Sequence, residues 1–296
     1  TSGAGCEACT AGHFDHDSAM AIGEGGGAST PCDVCPVGKF QGSTGQTDCD
    51  QCAPGKYQDG TAATTCKDCA AGFWSASLGV KKDSQCKACL AGTYSDTPRA
   101  NAASSCKSCI AGKYSVVVAA ASAASCTKCP RGFAQPEKQS VFCLPCQPGT
   151  MSPRNGSKHC IACKVNSIAK EARSLQCLEC GSGKYTVTNG SVMCSKCIPG
   201  RFKEEDGGAG ACQECPQGYV SALPGSTLCS ACNGGEFTAG NGSVTCSKCI
   251  PGRFKMQTGQ TCAVCPKGYA SAGSGATLCH LCSSGAYTSG NGSVSC

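Results

Sequence analysis

The stretch Gly183-Lys184-Tyr185-Thr186-Val187-Thr188-Asn189-Gly190-Ser191-Val192-Met193-Cys194-Ser195-Lys196-Cys197-Ile198-Pro199-Gly200-Arg201-Phe202-Lys203 returns 52 residues later as Gly235 to Lys255. The copy keeps the Asn-Gly-Ser-Val, Cys-Ser-Lys-Cys and Ile-Pro-Gly-Arg-Phe-Lys blocks, and a third copy begins at Gly285. After each full copy comes Cys-Pro-x-Gly-Tyr, at Cys215 and Cys265. A sequence that copies itself at a fixed period encodes an array of small units that bury their faces against one another, and this decides the fold.

Outside this block the same spacing holds along the chain. The 33 cysteines fall as sixteen Cys-x-x-Cys pairs, from Cys6/Cys9 to Cys279/Cys282, and Cys296 opens a seventeenth. Most neighbouring pairs are 13 residues apart; three consecutive loops between Cys69 and Cys126 have 16, and the loop from Cys9 to Cys32 has 22. The basic period is about 17 residues, and three units make a superrepeat of 50 to 52. Three residues past each pair stands Gly in fifteen of sixteen units, and Asn166 in the other. Gly and Asn tolerate positive φ, so this position predicts a left-handed backbone turn. An aromatic follows one or two residues later, as at Phe40, Tyr57, Tyr94, Phe202 and Phe237, with Met151 in that place once. Each unit is therefore expected to hold one ring against one or two cystines, a core too small to be stable without its neighbours.

Composition agrees with such an array and excludes other classes. Sixteen aromatics in 296 residues cannot build one large conventional core. No run of 18 apolar residues exists, so the chain holds no membrane-spanning helix. The net charge of +6 is spread thinly, unlike the clustered charge of a nucleic-acid binder. The chain begins at Thr1 and stops at Cys296 within the pattern, and it reads as a segment of something longer. Three regions are expected: residues 1–31, an irregular unit with a Gly-rich insertion; 32–176, tandem repeats of variable loop length; and 177–296, the regular superrepeats. Tyr185–Thr188 and Ser191–Met193 flank Asn189-Gly190, which predicts a β-hairpin with a type I′ turn, and likewise at Asn241-Gly242 and Asn291-Gly292. Ile168 to Arg173 has the composition for a turn or two of helix.

Repeated Cys-x-x-Cys at this spacing suits either zinc ribbons or a disulfide ladder. Disulfides are favoured. Asn155, Asn189, Asn241 and Asn291 all head Asn-Gly-Ser sequons, which imply a secretory route and N-glycosylation, although Asn-Gly also serves as a turn. A ring in nearly every unit is a natural cover for a cystine, and sixteen zinc knuckles in a row would be unusual. The superrepeat constrains connectivity. Joining neighbouring pairs two by two would make Cys194 pair backwards while its equivalent Cys246 pairs forwards. A serial ladder avoids this: Cys35–Cys49, Cys52–Cys66, Cys180–Cys194, Cys197–Cys212, Cys232–Cys246, Cys249–Cys262 and Cys282–Cys296, with Cys6 left for residues upstream. A mixed scheme with a six-cysteine period satisfies the same symmetry.

Cys52-Ala53-Pro54-Gly55-Lys56-Tyr57 and Cys197-Ile198-Pro199-Gly200-Arg201-Phe202 carry a resemblance: Cys-x-x-Gly-x-Tyr/Phe followed by Cys-x-x-Cys resembles the ephrin-receptor-like cysteine-rich repeat. It is more distantly similar to tumour-necrosis-factor-receptor-like repeats, whose alternating spacing it does not share. The pair density also resembles, less specifically, surface proteins of protists. The resemblance implies an extracellular, elongated, disulfide-linked β-rich fold; it implies no ligand, since the matching residues are scaffold. The expected fold class is thus small disulfide-rich β repeats in an elongated solenoid-like rod, with almost no helix.

Little else points to chemistry. His13-Phe14-Asp15-His16-Asp17 is the one dense His/Asp cluster; His13 and His16 are weak metal candidates in a polar loop. His159 and His280 are isolated. A lone Cys-x-x-Cys can be a redox pair, but sixteen copies argue for architecture. No nucleophile–base arrangement stands out, and neither an enzyme nor a cofactor is expected. Lys67, Lys87, Lys107, Lys128, Lys196 and Lys248 lie inside the pairs, where they either keep the array soluble or form a basic stripe for acidic glycans. The apolar loop from Val116 to Ala124 is a candidate contact surface or a segment tucked on the next unit. The expected role is a non-enzymatic structural component of an extracellular or cell-surface filament, flagellar hair or sheath, reached through the secretory pathway. Its expected partners are copies of itself or other fibre proteins. A receptor or adhesion stalk is the alternative, and a zinc-binding scaffold a weaker third.

Overall fold

The computed structural model describes residues 8–15, 31–204, 210–257 and 261–296. One unit explains the rest. After Cys35, the Lys39 N–H donates to the Pro36 carbonyl at 3.0 Å, and Gly38 between them has φ +84°. This is a type II turn, whose third residue needs a left-handed backbone. The turn feeds the strand Lys39–Phe40, which pairs antiparallel with Asp50–Gln51, Lys39 opposite Gln51 and Phe40 opposite Asp50. The second strand is thus the x-x of the next Cys-x-x-Cys. Fifteen such two-stranded sheets follow one another among the described residues, each independent of the others.

That strand dictates the disulfides. Residues three apart on a strand point to opposite faces. Cys49 therefore turns back to close its own loop with Cys35, while Cys52 turns forward to Cys66. Sixteen disulfides run serially in this way, from Cys9–Cys32 through Cys180–Cys194, Cys197–Cys212, Cys232–Cys246 and Cys249–Cys262 to Cys282–Cys296. The second cysteine is the most buried residue of many units: Cys35, Cys52, Cys129, Cys146, Cys197 and Cys249 have no accessible surface. All the described cysteines are disulfide-bonded, which leaves no thiolate among them for zinc. Cys6 lies outside the described residues.

The three longer loops absorb their additional residues in one way. Each carries a three-residue 3-10 turn immediately before its closing cysteine: Asp83–Gln85, Ala103–Ser105 and Ala123–Ser125. The rest of the unit keeps its register.

Three local expectations are corrected. Asn189-Gly190 is not the tip of a type I′ hairpin. The paired strands are Lys184–Tyr185 and Ser195–Lys196, and Gly190 has positive φ whereas Asn189 does not. The same holds at Asn241-Gly242, where Glu236–Phe237 pairs with Ser247–Lys248. Asn291-Gly292 lies in a unit that forms no strand pair. Ile168 to Arg173 is not helical, since Ser167–Ile168 is a strand. And the rings are not the core. Phe40, Tyr57, Trp74 and Tyr94 are half-buried, and Tyr219, Tyr269 and Tyr287 are exposed. A unit one hairpin thick has no second layer to cover a ring, so sulfur and small polar side chains fill the interior instead.

By packing, the chain divides into two compact units. The first comprises Thr1–Pro145 with Arg154–His159 and contains the three long loops; the second comprises Cys146–Pro153 with Cys160–Cys296 and contains the superrepeats.

Candidate functional site

The recurring site is the seam between successive repeats. Between the repeats that begin at Cys35 and Cys52, three backbone hydrogen bonds cross it. Gly38 N–H donates to Gln58 O at 2.8 Å, Gln41 N–H to Ala63 O at 3.0 Å, and Ala62 N–H back to Cys35 O at 2.9 Å. The same three-bond pattern joins the next two repeats, where Gly55 N–H donates to Ser75 O, Gln58 N–H to Val80 O and Gly79 N–H to Cys52 O, and it recurs through both compact units. The last donor always belongs to a residue with positive φ, whether Gly190, Gly225 and Gly242 or the non-glycine Ala62, Arg99, Ala119, Gln139 and Arg173.

The residue after the ring position lies at the heart of the seam. It is polar in nearly every repeat and buried in each from Gln41 onward: Gln41, Gln58, Ser75, Ser95, Gln135, Thr238 and Thr288 among them. Each finds its own partners. Gln58 Nε2 donates to Thr65 O at 2.7 Å while its Oε1 accepts from Gly60 N–H at 2.9 Å, and Thr238 Oγ1 accepts from Gly218 N–H at 2.6 Å. In the two Ile-Pro-Gly-Arg-Phe-Lys repeats the position is a buried lysine. Lys203 Nζ donates to Cys180 O at 3.3 Å and Lys184 O at 3.2 Å, and Lys255 Nζ to Glu236 O at 2.6 Å. No buried side-chain nitrogen or oxygen among the described residues lacks a hydrogen bond. This position was missed in the sequence, though a Gln, Ser, Thr or Lys directly after the ring marks it.

The lysines of the pairs divide into two groups. Those directly after the first cysteine lie across from a ring: Lys67 Nζ is 5.9 Å from the Tyr57 centroid and Lys87 Nζ 5.2 Å from that of Trp74. Lys67 also bonds Asp59 at 2.6 Å, and Lys107 bonds Asp96 at 2.7 Å. These hydrogen bonds hold the Asp59 and Asp96 carboxyls below their ordinary 3.8 and raise the Lys67 and Lys107 ammonium groups above 10.5. Two charges of the expected basic stripe are thereby neutralised. Lys128, Lys196 and Lys248, which precede the second cysteine, instead lay their methylenes on the left-handed glycines Gly156, Gly225 and Gly275.

The sequon asparagines are all exposed. Asn189 Oδ1 accepts from Val165 N–H, Asn241 Oδ1 from Gln217 N–H and Asn291 Oδ1 from Lys267 N–H, each at 3.0 Å across a seam. Asn155 makes no hydrogen bond with the described residues. The loop from Val116 to Val118 is exposed, at 68%, 47% and 58%. An open groove of about 640 Å³ is lined by Trp74, Lys87, Leu90, Thr93, Ser104 and Gln139, and not by that loop. His13 Nδ1 lies 3.3 Å from Thr10 Oγ1. His16 and Asp17 lie outside the described residues, and no cluster able to hold a metal occurs among the described ones. No helix of the described residues is long and apolar enough to cross a membrane.

The family described as tyrosine-protein kinase ephrin type A/B receptor-like matches residues 25–69, 112–159 and 149–197. No curated protein matches the chain. The matched segments are those in which the Cys-x-x-Gly turn, the ring and the serial disulfide recur, and the same architecture continues through the described residues of 70–111 and 198–296. Residues 25–69 and 112–197 are thus similar to the ephrin-receptor-like cysteine-rich repeat, and the disulfide ladder they share runs on through the rest of the described residues.

Proposed function

We propose that the chain is a non-enzymatic, tension-bearing component of an extracellular fibre, flagellar hair, sheath or cell-surface coat, assembled with copies of itself or with other fibre proteins. One observation supports this above the rest. Because each disulfide closes its own loop in series, a covalent route bypasses every loop, from Cys35 through sulfur to Cys49, along Asp50-Gln51 to Cys52, and through sulfur again. Tension then passes through disulfides and three-bond linkers, and the 13 residues inside the loop stay unloaded. A scaffold for ligand binding has no need of such a route in every repeat. Nothing in the described sites favours catalysis: their buried polar side chains are taken up in hydrogen bonds within and between repeats.

A second reading, the stalk of a receptor or adhesion ectodomain, is favoured by the ephrin-receptor-like match. Electron microscopy of native material separates the two. Ordered polymers with the chain as a stoichiometric component are expected for the first. Monomers attached to a membrane-anchored head would replace it with the second.

A further inference from the structure

We propose that Asn189, Asn241 and Asn291 carry N-linked glycans, on an amide whose two atoms are divided between the seam and the glycan. Each asparagine occupies the same place in its repeat, just before a left-handed glycine. Its Oδ1 accepts a backbone N–H of the preceding repeat at 3.0 Å. An N–H can only meet the amide oxygen, so the oxygen faces the seam and Nδ2 is on the other side, with no partner among the described residues. The side chain is exposed in all three. The following Gly N–H is held by Cys163, Cys215 and Cys265 carbonyls at 2.7 Å, and the sequon hydroxyls of Ser191, Ser243 and Ser293 close the turn on Thr188, Gly240 and Gly290 carbonyls. Asn166 shows the contrary case. It is buried, outside any sequon, and its Nδ2 is engaged with Gly210 O at 3.0 Å.

The modification is compatible with the seam at the level of atoms. Nδ2 bonds to the anomeric carbon of a polyprenyl-pyrophosphate-linked oligosaccharide, the carbon–oxygen bond to pyrophosphate breaks, and Nδ2 loses one of its two protons. Oδ1 remains a carbonyl acceptor, so the bond from Val165, Gln217 or Lys267 survives and fixes the root of the glycan against the preceding repeat. This rests on the extracellular reading of the chain. The test is glycopeptide mapping of the full chain secreted from a eukaryotic host, after release by peptide N-glycosidase in isotopically labelled water. Labelled aspartate at more than half occupancy at two or three of the sites is expected. Ser191→Ala, and separately Asn189→Asp, which keeps an oxygen for Val165, should abolish the glycan at 189 alone. Lower occupancy in fully oxidised protein, or a glycan that persists at 189 in Ser191→Ala, would overturn the proposal. Native material with free thiols would overturn the extracellular reading instead, and the thiol titration distinguishes the two.

Discussion

A methyl group at Gly200 would stand 2.1 Å from the carbonyl oxygen of Gly242, two repeats ahead, on a backbone with φ +83°. Both the conformation and the space exclude a side chain there, and the obstructing atom is backbone that cannot rotate away. Gly200→Ala is therefore expected to destabilise its repeats by about 2–4 kcal/mol, read as loss of amide-exchange protection on both sides of the seam under oxidising conditions. Asn166 meets the same constraint differently: at φ 64° it accepts the Thr186 N–H through Oδ1 at 3.1 Å and reaches the carbonyl of Gly210 with Nδ2. The left-handed turn was legible, because only Gly and Asn occupy it. The second left-handed position was not, because ordinary residues such as Arg99 and Gln139 fill it, held there by an N–H bonded across the seam. Charge at this scale gives a second prediction. Asp59 and Asp96 are depressed below 3.8 by Lys67 and Lys107, so their contribution is complete above pH 3.8 and is lost as pH falls through the lower folded values. In Lys67→Met, the Asp59 carboxyl should titrate nearer its ordinary value by NMR, with Asp96 unmoved. An unchanged Asp59 would mean the pair does not form.

At the scale of the element, the three-residue 3-10 turns fall in the one part of the loop that the seam does not use. Val80, the last seam residue of its repeat, precedes Asp83–Gln85. Deleting those three residues leaves Gly79-Val80-Lys81-Lys82 before the cysteine, the same length as in the 13-residue loops. That deletion is expected to change stability by less than about 1 kcal/mol and to leave the Cys69–Cys86 bond intact in peptide maps. Deleting Ala76, Ser77 and Leu78 instead moves Gly79 out of reach of the Cys52 carbonyl, and should unfold the repeat. The buried polar residue offers the complementary change. Thr238→Val keeps the shape but leaves Gly218 N–H without its acceptor, at a cost of about 1–3 kcal/mol, whereas Tyr287→Ala, on an exposed ring, should cost little by the same denaturant midpoint. The sequence made the hairpin legible but not its register. Asn189-Gly190 has the composition of a hairpin tip, yet Gly190 and the Ser191 that follows it bond across the seam to Cys163 and Ala169, and the strand forms only at Ser195–Lys196. Local turn propensity was overruled by the neighbouring repeat, which a reading of one loop does not contain.

Across the whole molecule, period and cysteine spacing made the array legible, whereas the way a load would run depends on which face of the strand each cysteine takes. Were the pairs joined two by two, tension would fall on the connecting loops; with serial closure it runs from cystine to cystine. A 14-residue separation held at a Cα–Cα distance of 5.7 Å, as for Cys35–Cys49, conceals about 40 Å of extensible chain. The 17-residue separation of Cys89–Cys106, held at 5.6 Å, conceals about 50 Å. Single chains stretched from both ends in oxidising buffer are therefore expected to reach a short contour length with no steps of this size, because breaking the seam hydrogen bonds frees no loop. With a phosphine reductant under constant force, extension should proceed in discrete steps of about 40 Å and about 50 Å, the latter arising from the loops that contain the 3-10 turns, with one step of about 70 Å from the 23-residue separation of Cys9–Cys32. Cys89→Ser with Cys106→Ser removes one of the longer steps and adds its length to the contour before reduction. Smooth extension to the full contour length of the polypeptide in oxidising buffer would show that the loops carry the load, and the tension-bearing role would fall with the serial ladder.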